Sequence, residues 1–144
     1  MVPMDFSVQA NAALDWVLGV MKPEDHLLIL NVLNLKAPSF FFFLFLFVAY
    51  AHDIAVNERM KKESQEKLAD MKARAISLGF KFAEAITCRG EPQKQVCKYA
   101  VEDKIDCIVM GRRGMSNLKR MINGSVSEFV LANAPCAYSV IISF

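Results

Sequence analysis

Apolar positions along the chain change their period several times, and the changes fall at glycines, prolines and short polar clusters. After a brief apolar opening at residues 2–4, the positions Ala10, Ala13, Leu14, Val17, Leu18 and Met21 recur at the spacing of one helical face. Ser7 stands where it can cap that helix and Pro23 where it would stop it. Residues 27–33 are a compact apolar run of strand length. Residues 53–78 read as a long charged helix whose late stripe, Leu68, Met71, Ala75 and Leu78, faces a core, with Gly79 as its C′ residue. A strand over 80–88 follows. Gly90-Glu91-Pro92 then opens a helix with Val96, Cys97, Ala100 and Val101 on its apolar side. Residues 105–110 are nearly all apolar, as a parallel strand covered on both faces should be. A glycine-punctuated loop over 111–124, a short helix over 125–133 ended by Pro135, and a strand over 137–144 complete the chain.

This alternation predicts an α/β fold: a three-layer α/β/α arrangement around a five-stranded, mostly parallel twisted sheet. The length of 144 residues suits a single domain over 1–144. In such sheets ligands bind just beyond the carboxyl ends of the strands.

Composition narrows the function. Lys+Arg 17 against Asp+Glu 15 leaves a net charge of +2, which argues against a nucleic-acid coat or a polybasic membrane binder. Cys88, Cys97, Cys107 and Cys136 form no C-x-x-C, and with two histidines the chain lacks the usual spacing of a zinc site. Each cysteine lies in or beside an apolar run and reads as a buried, reduced thiol. No basic stretch precedes an apolar core at the start, so a reducing cytoplasm is the expected setting. Six of the eleven phenylalanines crowd into residues 40–47, within an irregular apolar segment over about 36–51. Its twelve uncharged residues, 40–51, fall short of the roughly twenty that cross a bilayer, so a core-covering segment is expected over a membrane or partner-docking patch.

The chemistry concentrates in Gly111-x2-Gly114-x9-Gly124-Ser125, placed after one strand and before one helix. Glycine allows close backbone approach, and a loop feeding a helix N-terminus aims unpaired N–H groups at an anion. Ser125 and Ser127 add short donors. Arg112, Arg113, Lys119 and Arg120 supply local positive charge, with no acid between Cys107 and Ser127. The pattern is neither a Walker loop nor Gly-x-Gly-x-x-Gly.

At these residues the chain resembles the universal stress protein family, of the three-glycine, ATP-binding type. Val109-Met110-Gly111-Arg112-Arg113-Gly114, Asn117-Leu118-Lys119, the run from Gly124 to Val130, and Ala134-Pro135-Cys136 carry the likeness, with Asp5-Phe6-Ser7 and Gly90-Glu91-Pro92. The resemblance implies an adenine nucleotide alpha-hydrolase-like fold and a ligand of the ATP or AMP type, with or without magnesium. It implies that Pro3, Met4 and Asp5 hold the adenine and ribose side and that Val32 packs on the adenine. Met110 and Gly111 would approach the ribose and phosphates, with Arg112 counted in the same binding site, and Gly114, Gly124, Ser125, Val126 and Ser127 would wrap the phosphates. It also implies a homodimer through the last strand, 138–144, and a role in stress response or signalling. Asp5 has a second reading, as a cap for the turn before the first helix. No histidine or paired carboxylate is placed to activate a water, so hydrolysis should be slow at most. The alternatives are a true ATPase and a nucleotide-free dimeric scaffold using the 40–51 patch.

Overall fold

The protein's structure, a computed structural model, describes residues 1–34, 46–112, 126–136 and 138–143. Its elements run β1 (Val2–Met4), α1 (Val8–Val20), β2 (His26–Leu33), α2 (Leu46–Ser77), β3 (Phe82–Arg89), α3 (Pro92–Glu102), β4 (Cys107–Arg112), α4 (Val126–Asn133) and β5 (Tyr138–Ser143).

The run Leu27-Leu28-Ile29-Leu30 explains the layering. On a strand, successive side chains leave by opposite faces. Leu27 and Ile29 enter one core cluster, with Val2, Ala10, Ala13, Leu14 and Val17 of the first two elements and Leu68 and Ala75 of α2. Leu28 and Leu30 enter another, with Val96 and Ala100 of α3, Ile108 of β4 and Val130 of α4. Helices α1 and α2 therefore cover one face and α3 and α4 the other. An unbroken apolar run such as residues 27–30 is stable only between two such layers.

All the described strand pairs are parallel. β1 pairs with β2 and β2 with β3, while β4 pairs with β5. The two groups are joined at Met1, whose carbonyl accepts from the Val109 N–H at 3.0 Å and whose nitrogen donates to the Cys107 carbonyl at 2.7 Å. These bonds fall before Pro3, which has no N–H to give. The spatial order is thus β3-β2-β1 beside β4-β5. The chain winds outward from β1, then returns to begin again on β1's other side. Winding direction reverses between β1 and β4, so a crevice opens at their carboxyl ends.

Several boundaries differ from the sequence reading. α2 begins at Leu46 and not near 53, so the second half of the apolar 40–51 run belongs to the helix; residues 40–45 lie outside the described residues. β4 runs through Arg112, which puts Gly111 and Arg112 in the strand and not in the loop. Phe80 does not start β3 but closes the turn that follows α2. Its N–H donates to the Ala75 carbonyl at 3.2 Å while Gly79, at φ +97°, donates to Ile76 at 2.9 Å. That doubled closure needs a left-handed residue, and glycine takes it without steric cost.

Candidate functional site

The turn from β1 to α1 is locked by its own side chains. Asp5 Oδ1 accepts from the Ser7 N–H at 3.0 Å and from the Ser7 hydroxyl at 2.5 Å. The Ser7 hydroxyl oxygen in turn accepts from the Ala10 N–H at 3.2 Å, capping the helix. Between them Phe6 sits at φ +61°, a conformation a bulky residue holds only when its surroundings impose it. Asn11 adds a bond from Nδ2 to the Ser7 carbonyl at 3.0 Å. Asp5 therefore performs the capping role weighed for it, at the carboxyl end of β1, with its side chain exposed.

Across the crevice, Met110 and Gly111 end the described side chains of β4. Met110 is buried in the cluster under α3 and α4. Gly111 has a different neighbour. A Cβ there would overlap the backbone of Gln9 and stand 2.7 Å from the Ala10 nitrogen, so the missing side chain is what lets the first turn of α1 close on β4. The backbone of Gly111 is ordinary strand. Its glycine answers a demand for space and not for a left-handed turn.

The other expected residues divide between the two faces. Pro3 and Met4 end β1, with Met4 turned into the α1–α2 layer. Val32, near the end of β2, packs on the opposite cluster, which Val126 also joins and which includes Met110. Ser127 is buried in the first turn of α4. The backbone of Arg112 pairs with Ser143. Gly114, Gly124 and Ser125 lie outside the described residues. The strand ends thus bring Pro3, Met4, Asp5, Met110 and Gly111 to one reversal point, with Val32 one strand further out.

Sequence reasoning missed a polar chain beneath this point. Asn31, buried in an otherwise apolar strand, donates from Nδ2 to the Met4 carbonyl at 2.6 Å and accepts at Oδ1 from the Ser64 hydroxyl at 2.8 Å. Ser64 lies 3.0 Å from the Thr87 hydroxyl. One polar residue inside the run 27–33 was the available signal. Buried amides persist where they are hydrogen-bonded.

The four cysteines are free and only half-buried, not fully buried as their apolar surroundings predicted. Desolvation is the leading cause that lifts Cys88, Cys97 and Cys107 above the ordinary thiol value of 9.0. The neutral thiol is then favoured in the fold, and the unfolded chain ionises first. Stability from these groups should be complete below pH 9 and decline as pH rises past it. A urea midpoint that falls between pH 7 and pH 10, and falls less when the three are alanine, checks this; equal falls would contradict it.

Among the described residues, no helix is long and apolar enough to cross a membrane, and no three His, Cys, Asp or Glu side chains gather to hold a metal.

Comparison with known proteins places the chain. The model of the universal stress protein family matches residues 1–142. Universal stress protein MJ0531 of Methanocaldococcus jannaschii is 36% identical over 86 residues, 60% of this chain and 50% of that protein. YxiE of Bacillus subtilis is 35% identical over 86 residues, 60% of this chain and 57% of its own length. The matched part therefore spans only about half of those two relatives. MJ0577 of M. jannaschii is 28% identical over 138 residues, covering 90% of this chain and 85% of that one. Its solved structure superposes with a TM-score of 0.79 at 23% identity, over 99% of this chain and 93% of that one. Two further structures share the fold at 20% identity. One is a universal stress protein in complex with cAMP, TM-score 0.67, covering 99% of this chain and 93% of that one. The other is a family protein from Arabidopsis thaliana with AMP bound, TM-score 0.68, covering 98% and 89%.

Proposed function

The chain belongs to the universal stress protein family, and on that premise we propose that it is an adenine-nucleotide-binding protein of stress response or signalling, taking ATP or AMP at the reversal point between β1 and β4. One observation supports the reading: the strand order reverses between β1 and β4, so the Asp5 turn and the Met110–Gly111 pair stand at neighbouring strand ends, while Val32 and Val126 pack on the α3–α4 cluster. That arrangement offers an apolar shelf beside a polar turn. The AMP and cAMP complexes of proteins with this fold support the same ligand class. Residues Pro3, Met4 and Asp5 would hold the base and ribose, and Val32 would pack on the base. Met110, Gly111 and Arg112 would approach the ribose and phosphates. Gly114, Gly124, Ser125, Val126 and Ser127 would surround the phosphates, with helix α4's first turn directing N–H groups at them.

Magnesium would arrive on the phosphates: Asp5 Oδ1 already accepts two bonds from Ser7, and the described residues gather no metal-binding group of three. Hydrolysis would be slow: among the described side chains the one histidine, His26, stands at the amino end of β2, the opposite end of the sheet. β5 stands last in the described strand order, and its outer side suits two-fold pairing with a second copy. The cytoplasm is the setting this reading implies.

Released nucleotide from denatured purified protein, identified by mass, tests the ligand. ATP at about 100 times its Kd should stabilise the fold by about 2.7 kcal/mol, a rise of roughly 5–11 °C in Tm. Gly124→Val should remove that rise. An unchanged melting curve in millimolar ATP and AMP would sink the reading.

A further inference from the structure

Asp5 is gripped on both sides by one helix. On its amino side, the Met4 carbonyl receives the Asn31 amide, and Asn31 is held in turn by Ser64 of α2. On its carboxyl side, the ammonium of Lys67, three residues along α2 from Ser64, lies 5.1 Å from the centroid of the Phe6 ring. Positions three apart share a helix face, so Ser64 and Lys67 reach the same turn together. Asn31 and Ser64 are both buried, 4% and 3% exposed. Leucine, which β2 already carries at Leu30 and Leu33, would pack at position 31 without any need for partners. What leucine cannot do is donate a hydrogen bond to the carbonyl that ends β1.

We propose that Asn31 is a positioning residue of the nucleotide site: bonded to Ser64 of α2 and to the Met4 carbonyl, it sets where the Asp5 turn stands, and so the base and ribose side of the crevice. The assignment rests on the nucleotide reading above. Asn31 itself need not touch ligand. It orients the peptide that precedes Asp5, while the cation over Phe6 steadies the residue that follows. Helix α2 becomes part of the site without reaching into it. The phosphate side, carried by β4 and the start of α4, is outside this chain of bonds.

That division supplies the test. Wild type, Asn31→Leu, Ser64→Ala and Val96→Ala are compared for affinity toward AMP, ATP and inorganic tripolyphosphate, at a temperature where each is folded by circular dichroism. Val96 is buried in α3, on the face of the sheet opposite Asn31 and Ser64, so its variant controls for lost stability that leaves their bonds in place. Asn31→Leu should weaken AMP and ATP by the same factor, tenfold or more, and leave tripolyphosphate within twofold. Ser64→Ala should cost about threefold for both nucleotides, and Val96→Ala less than twofold. AMP binding within twofold of wild type in Asn31→Leu overturns the assignment, and so does an equal loss for tripolyphosphate. If Asn31→Leu does not fold, Ser64→Ala decides: threefold supports the assignment and no change overturns it. A wild-type protein that binds neither nucleotide overturns the site itself, and this assignment with it. A wild type that binds beside an unaffected Asn31→Leu overturns the assignment alone.

Discussion

Gly111→Ala should destabilise the ligand-free protein by about 3 kcal/mol or more, lowering Tm by roughly 6–12 °C. The added Cβ would overlap the Gln9 carbonyl and crowd the Ala10 nitrogen. Both are backbone atoms of α1's first turn, so no rotamer change relieves the clash. Helix α1 would have to move off β4, and with it Ala10, Ala13 and Leu14, which are buried in the core on that face. The φ of Gly111 is not left-handed, so the cost is one of space and falls on any residue with a Cβ. Urea unfolding of the variant without nucleotide measures it. Unchanged stability with lost nucleotide binding would show instead that this glycine serves only the ligand.

Leu30→Ala should cost about 2–5 kcal/mol. Leu30 is fully buried in the second strand of the sheet, among Val96, Ala100, Ile108 and Val130 from three other elements. Removing three carbons there opens a cavity that a two-sided sheet cannot collapse around, because Ile29 on the reverse face is equally buried and holds the strand in place. Val20→Ala, on an α1 position 55% exposed, should stay within about 0.5 kcal/mol. A shift of the urea midpoint at constant slope separates the two. A Leu30→Ala midpoint no lower than that of Val20→Ala would mean the layers do not close over β2 as described.

The α/β class was legible because the periods differ so plainly: a helical stripe from Ala10 to Met21, then an unbroken apolar run from Leu27 to Leu30. Ser7, by its capping hydroxyl, and Gly79, by its tolerance of a left-handed backbone, announced helix ends, and both stand where expected. The start of α2 was not legible. Its first residues, Leu46 onward, carry an apolar run with no cap or stop, which gives periodicity nothing to distinguish helix from irregular cover. Asp5 was legible as a residue of the first turn, and that turn holds it through Ser7.

Local patterning determined the elements, their order and the end of the sheet at which a ligand would lie, since hydrophobic period and turn chemistry are properties of neighbours in the chain. Contacts between distant segments decided the rest. Gly111 proved to be a place where a helix from the start of the chain rests on a late strand, and Asn31 a link from β1 to α2. Both meanings depend on which backbone atoms meet across the layers. A one-dimensional pattern carries no distances between residues that only folding brings together.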